Sequence, residues 1–423
     1  MPQAPRPESG SFVKFARSRY RLAGGEMLAV RDPWFLPVDE WQASLAAQGR
    51  AGVNFAHYDY LGLNRHPDVE AAAIAALQTH GTSVSASRLV GGERSLNRTL
   101  EHALANHLGR DAALVLVSGY LTNVSILHHV TGARNLIVYD ELSHNSIVTG
   151  IAAAKAHAVS FPHNDLHALD ALLAECRGQY RRCLIVAESL YSMDGDIVDL
   201  PRLIEIKRRN DCWLMLDEAH SIGVLGATGR GLCEHYGVDP AEIDILIGTL
   251  SKTFVSCGGF VAANADVIRW LKYTLPGFVY SVGIPPASAA AALAALTIAA
   301  AEPQRVARLR ELSEFFLAEA RRRGLNTGQA IGRGVVPLLF DGDMQAIAVS
   351  DVLAAAGIYV PPIVRIGVPK DKPRLRFFMS ANHRPNDILR ALDIVAGAAA
   401  TQPHANASKP PITTATGLPL ERL

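Results

Sequence analysis

The chain has 423 residues, 49% hydrophobic and 19% charged, with 41 Lys and Arg against 40 Asp and Glu. Such a length suits roughly two or three domains over a large buried core, and the near-balance of charge excludes the basic footprint of a nucleic-acid binder. The five cysteines, Cys176, Cys183, Cys212, Cys233 and Cys257, form no CxxC pair and are odd in number, so they read as buried or incidental thiols in a reducing compartment, not a disulfide frame or metal site.

No N-terminal stretch has the charged, apolar and small-residue order of a signal peptide, and the expectation is a cytoplasmic protein without an integral membrane segment. Residues 1–53 read as an N-terminal segment with one helix over Phe12–Leu22. Phe12, Val13 and Phe15 beside Lys14, Arg17, Arg19 and Arg21 make it basic and amphipathic, suited to packing on a partner subunit rather than anchoring in a membrane.

From residue 54 short apolar runs alternate with helical stretches, which predicts α/β layering and a large domain over 54–300. Strands are predicted over 113–117, 136–139, 184–187, 213–216 and 245–248, and helices over 95–108, 166–175 and 200–209. The run 287–301 is alanine-dominated, falls short of the ~20 residues of a membrane span, and reads as a buried helix. Beyond it come a charged amphipathic helix over 304–323, strands over 335–340, 358–360 and 374–379, and a helix over 386–399. These predict a smaller α+β domain over 301–400. The tail, 401–423, is rich in Pro, Thr and Ala and reads as loosely held.

Nearly every polar residue of chemical interest follows the last apolar residue of a predicted strand, where open α/β sheets gather ligands. Lys252 has apolar or small neighbours and follows the strand in Asp244-Ile-Leu-Ile-Gly-Thr-Leu. A lysine desolvated there has a lowered pKa, which Schiff-base chemistry requires. Thr249 and Ser251 flank it with hydroxyls suited to a phosphate, and Gly258-Gly259 permits a close backbone approach. Asp217 ends the apolar strand Trp213-Leu-Met-Leu; it is either a carboxylate projecting into the crevice or the N-cap of a following helix. His220, three residues on, is a candidate polar contact.

Ser118-Gly119-Tyr120 joins a strand to a helix start, an anion site built from unpaired backbone N–H groups. His144 follows another strand and either stacks on an aromatic ligand or stands exposed in a loop. Glu188 and Ser192, around the turn Met193-Asp-Gly-Asp196, could face the same place. Arg374 and Arg376 alternate onto one face of a late strand. Arg376 is expected to clamp a carboxylate, and Arg374 to be a solvated charge on an edge strand.

Six segments together resemble the α-oxoamine synthases, a branch of the fold-type-I pyridoxal-phosphate enzymes: Tyr60-Leu-Gly-Leu, Ser87-Arg-Leu-Val-Gly-Gly, Ser118-Gly-Tyr, Ser192-Met-Asp-Gly-Asp, Leu216-Asp-Glu-Ala-His-Ser-Ile-Gly and Thr249-Leu-Ser-Lys-Thr. The resemblance runs from about residue 54 to 398 and leans toward the serine-palmitoyltransferase-like or secondary-metabolite members. It implies a fold-type-I α/β architecture with a mostly parallel sheet, a homodimer with shared active sites, and pyridoxal 5'-phosphate as cofactor. The implied reaction joins an amino acid to an acyl thioester, on coenzyme A or an acyl carrier protein, to give an α-amino ketone, CO2 and free thiol.

By the same resemblance Lys252 is the cofactor-bonding lysine and proton-transfer base, Asp217 the partner of the pyridine nitrogen, His144 the stacking residue and His220 the contact to the phenolic oxygen. Gly119, Tyr120, Thr249 and Ser251 form the phosphate cradle, Ser281 reaches a phosphate across a dimer interface, and Arg376 holds the substrate carboxylate. Three departures stand out. Tyr58-Asp59 replaces an asparagine-containing pair, so Asp59 enters as a substrate-contact candidate. Val360-Pro361-Pro362 lacks the arginine of an Arg-Pro-Pro motif, with Arg365 its nearest substitute, and Asn97 stands where a histidine is common. An aminotransferase or lyase would use the same Lys252 and Asp217. A non-catalytic partner subunit is the other alternative, and an intact Lys252 argues against it.

Overall fold

The structure, a computed structural model, describes residues 12–22, 34–364 and 372–401. Arg365 and the tail beyond 401 therefore lie outside the described residues. The N-terminal helix forms over Phe12–Leu22, and a two-residue strand, β1 (Val53–Asn54), follows. The strands of the larger layer are β2 (Ala112–Leu116), β3 (Asn135–Asp140), β4 (His157–Phe161), β5 (Arg182–Glu188), β6 (Trp213–Asp217), β7 (Ile245–Thr249) and β8 (Gly259–Ala263). They form one seven-stranded sheet in the order β2-β8-β7-β6-β5-β3-β4. The neighbours from β7 to β4 are all parallel, and β8 runs antiparallel to β7 and β2.

Two of these strands, β4 and β8, were not among the predicted ones. Only Phe161 of β4 is buried, because β4 is the sheet's edge and carries little apolar signal. β8 begins at the glycine pair. A Cβ on Gly259 would lie 2.5 Å from the Gly119 Cα, so glycine here lets β8 pass against the start of helix Gly119–Val130.

The inner strands are buried on both faces, as a parallel sheet covered by helices requires. Along β5, Leu184 and Val186 enter one apolar cluster while Cys183, Ile185 and Ala187 enter the other, the period-two alternation of a pleated strand. Helix ends follow local chemistry. Asp165 caps Leu166–Cys176 through the N–H groups of His167 and Ala168, and Asp199 caps Leu200–Arg209 through that of Arg202. Helix Pro286–Ala301 is largely buried. Among the described residues no single helix is long and apolar enough to cross a membrane.

The C-terminal layer holds β9 (Val335–Leu339), β10 (Ile358–Tyr359), β11 (Pro362–Ile363) and β12 (Arg374–Phe378). β12 lies between β11 and β9, antiparallel to both, and β10 pairs with β1. Residues before the large sheet thus pack on this layer: Trp41 Nε1 donates to Ala354 O, and Trp34 Nε1 donates to Pro362 O at 2.8 Å.

One expectation is corrected here. Arg374 is not a solvated charge on an edge strand but 1% exposed on the middle strand of the small sheet. Its Nη1 donates to Met193 O at 2.7 Å and pairs with Asp194 Oδ1 at 2.9 Å. Partners from a distant turn, not solvent, offset the cost of burying it.

Candidate functional site

The C-terminal ends of β2, β3, β5, β6 and β7 open onto one cavity of about 330 Å³, a size within the small-molecule range. The order of strands reverses at β3, since β4 lies on one side of it and β5 on the other; crevices form at such switch points. Gly119, Tyr120, His144, Glu188, Ser192, Asp217, His220, Thr249, Ser251, Lys252 and Arg376 all line this cavity. Asp59 and Ser281 do not.

Lys252 lies three residues past β7, with its Nζ 5.8 Å from the centre of the Tyr58 ring. Burial pushes its ammonium down to about 8, against the opposing pull of Asp217 and Glu188 and with help from Arg376. An amine so placed is available as a nucleophile near neutral pH.

Asp217 ends β6 and is buried. Its Oδ2 accepts from Asn123 Nδ2 at 2.7 Å and its Oδ1 from Ala219 N at 2.9 Å. No helix directly follows Asp217, so it is not a helix N-cap; one oxygen lines the cavity and the other braces the turn after β6. Glu188 stands opposite it on β5 and accepts from His144 N at 2.5 Å. Burial, and then the neighbouring Asp217, raise the Glu188 carboxyl to about 8.

His144 caps helix Asn145–Ala153 and remains exposed along the cavity, with Nδ1 2.7 Å from Ser146 Oγ. His220 is buried, with Nδ1 2.7 Å from the Tyr60 hydroxyl. Burial and the adjacent positive charge of Lys252 hold its pKa well below the usual imidazole range, so the ring is neutral at pH 7.

At the other end of the cavity, the first-turn N–H groups of Gly119 and Tyr120 have no carbonyl partner within helix Gly119–Val130. The Thr249 and Ser251 hydroxyls lie 2.7 Å apart beside them. A Cβ on Gly119 would sit 2.9 Å from Thr249 Oγ1, so glycine keeps this cradle open for an anion. The donor set fits a phosphate. It also fits the rest of pyridoxal phosphate: an amine for its aldehyde, a buried carboxylate for its ring nitrogen and a histidine along the wall.

Arg376 reaches the cavity from β12. Its Nη1 donates to Ser192 Oγ at 3.1 Å and Ser192 O at 3.2 Å, while its buried Nε has no partner. Nη2 makes one long contact, 3.5 Å to the Tyr58 hydroxyl. The Nε–Nη2 edge of the guanidinium is thus available for a carboxylate.

Asp59 is occupied otherwise. Its two oxygens accept from Leu63 N at 2.7 Å and Asn64 N at 3.1 Å, holding a turn. It borders a second, larger cavity of about 1160 Å³ that also meets Lys252 and Ser251. Ser281 lines a separate surface hollow, beside the exposed Tyr280, Val282, Leu89 and Val90, and a single chain does not bring it to the site. Asn97 is buried with its Nδ2 unpartnered and lines neither cavity.

Two contributors are not among the candidate site residues. Asn123 anchors Asp217 from 94 residues away and Tyr60 anchors His220 from 160. Asn123 could have been found from its place one helical turn beyond Gly119, on the same face.

The sequence model of the aminotransferase class I and II family matches residues 50–395. The chain is 41% identical to an 8-amino-7-oxononanoate synthase of Methylorubrum extorquens over 90% of this chain and 94% of the relative. It is similar in structure to a serine palmitoyltransferase of Sphingomonas wittichii, with TM-score 0.84 and 27% identity, covering 93% of this chain and 98% of that one. A lysine-to-alanine variant of a serine palmitoyltransferase from S. paucimobilis, solved with a bound PLP-myriocin aldimine, gives TM-score 0.80 at 27% identity, over 83% and 88% of the two chains.

Proposed function

The chain belongs to the aminotransferase class I and II family and, within it, to the α-oxoamine synthases, which use pyridoxal 5'-phosphate to condense an amino acid with an acyl thioester and release CO2; we propose that the cavity at Lys252 is where this chain does so. The observation that carries the reading is the convergence of Lys252, Asp217, His144, His220 and Arg376 on one cavity. The product in the name of the curated relatives, 8-amino-7-oxononanoate, is itself an α-amino ketone.

The cofactor supplies an electron-accepting ring that stabilises negative charge at the amino acid's α-carbon. In our reading Lys252 Nζ holds the cofactor's aldehyde carbon and later moves the α-proton, a task suited to an amine that titrates at about 8. The Asp217 carboxylate keeps a proton on the ring nitrogen. His144, on the cavity wall, would pack against the ring, and Glu188 holds the His144 backbone in place. A Tyr60 hydroxyl donating to Nδ1 would leave the proton of the neutral His220 on Nε2, where it would be placed to donate to the phenolic oxygen. Gly119, Tyr120, Thr249 and Ser251 bind the phosphate, and Arg376, oriented by Ser192, takes the substrate carboxylate.

The larger cavity beside Lys252 has room for the acyl chain, delivered on coenzyme A or an acyl carrier protein. The same reading treats 54–300 as the cofactor-binding unit and 301–400 as the unit that supplies Arg376. It makes the protein a cytoplasmic homodimer in which Ser281 of the partner subunit completes the phosphate site. The exposed side chains around Ser281 support that pairing.

The test is chemical. Borohydride reduction of the yellow holoenzyme followed by peptide mapping should place the fixed cofactor on Lys252, and Lys252→Ala should abolish the adduct. An adduct on any other lysine refutes the assignment.

A further inference from the structure

His163 lies outside the cavity, in the turn after β4, yet both of its ring nitrogens meet carboxylates. Nδ1 is 2.9 Å from Asp140 Oδ1 and Nε2 is 3.0 Å from Asp196 Oδ2. Two acceptors on one ring require two N–H donors, so the ring is an imidazolium. Asp140 is fully buried at the end of β3 and also receives Leu142 N and Asn164 N. Asp196 also receives Asn164 Nδ2 at 2.6 Å. The Tyr191 ring meets His163 edge-on with centroids 4.6 Å apart.

The Asp196 side of this bridge belongs to a tight turn. Gly195 N donates to Tyr191 O at 2.8 Å, and Tyr191 N donates to Asp196 O at 2.9 Å. Between those bonds lie Ser192, which holds Arg376, and Met193 and Asp194, which hold Arg374. One edge of the turn grips both arginines of β12, and its base is tied through His163 to the end of β3. Removing the imidazolium would leave Asp140 and Asp196 bridged by the neutral Asn164 alone, with no positive charge between the two carboxylates, and their repulsion would act on the turn.

We propose that His163 is a positioning residue for the amino-acid substrate: by joining Asp140 to Asp196 it fixes the Tyr191–Asp196 turn, and through Ser192 the aim of the Arg376 guanidinium. The inference rests on the reading of Arg376 as the carboxylate site. It predicts a selective loss. Amino-acid binding should suffer while the cofactor, held from the other strands, and the acyl thioester should not.

The experiment uses holoenzyme carrying His163→Gln, Asp196→Ala, Arg376→Gln, and the double variant His163→Gln with Arg376→Gln. Asp196→Ala keeps the His163–Asp140 pair and removes the turn's bonds to His163 and Asn164, so it serves if His163→Gln does not fold. Amino-acid dissociation constants are read from the cofactor's visible absorbance, alongside cofactor content and KM for the acyl thioester. Either tie variant should weaken amino-acid binding about tenfold, a coupling of ordinary size for residues acting through one network. Cofactor content and thioester KM should stay within about twofold, and His163→Gln should add little once Arg376 is gone.

Unchanged amino-acid affinity in a cofactor-replete tie variant, with Arg376→Gln clearly impaired, overturns the role of His163 alone. Unchanged affinity in Arg376→Gln overturns the carboxylate site, and this proposal with it. A parallel loss of cofactor and both substrates shows general destabilisation and also overturns it.

Discussion

Glu188 and Asp217 stand directly opposite each other on adjacent parallel strands, β5 and β6, yet their surroundings differ. Asp217 receives two N–H donors, from Asn123 and Ala219, whereas Glu188 is desolvated beside it and rises to about 8. Burial beside Asp217 therefore favours the protonated form of Glu188 near neutral pH. Two adjacent carboxylates are thereby given separate tasks.

Glu188→Gln, which copies the protonated form, should keep turnover within about threefold of the parent, because only a neutral hydrogen bond changes. Asp217→Asn should lower turnover by about a hundredfold or more, the scale of losing one electrostatic partner in an active site. Steady-state rates of the two variants at equal cofactor content decide the matter. Equal effects would remove the distinction.

Gly119→Ala should weaken cofactor binding about tenfold, because the new methyl would sit 2.9 Å from Thr249 Oγ1 and 3.0 Å from Thr249 Cβ. Equilibrium titration of the apo-protein with cofactor measures this. Parent-like affinity would mean that the cradle lies elsewhere.

The buried bridge at His163 predicts a pH effect on stability. The hydrogen bonds and charges of Asp140 and Asp196 overcome desolvation and raise the imidazolium from 6.5 to about 10. A folded-state pKa above the unfolded one contributes stability that is fully present below the unfolded value. It is lost as pH rises from there through the folded value, so this contribution should fade between about pH 6.5 and 10. Denaturant midpoints across that range should fall in the parent protein and fall less steeply in His163→Gln. Parallel slopes would contradict the assignment.

The inner strands were legible because burial on both faces leaves continuous apolar runs, as in Leu184-Ile-Val-Ala and Trp213-Leu-Met-Leu. Lys252 and Asp217 were legible for the same reason, since each closely follows such a run. The edge strand β4 was not, because only one of its five residues is buried. β8 hid behind its glycines. Arg374 was misjudged because alternation tells which face a side chain takes but not what waits there. Its charge partner, Asp194, is 180 residues earlier. The contacts of Tyr60 and His163 likewise exist only once the sheet has assembled, so no local pattern announces them.

The most direct test of the whole account is the fate of the acyl thioester. Holoenzyme is supplied with candidate amino acids, labelled at the carboxylate, and with short- and long-chain thioesters on coenzyme A and on carrier protein, and both free thiol and labelled CO2 are counted. The account predicts that a matching pair releases thiol and CO2 in equal amounts and that Lys252→Ala releases neither. Conversion of the amino acid to its keto acid, with the amino group left on the cofactor or passed to an added 2-oxo acid and with no thioester consumed, would contradict it.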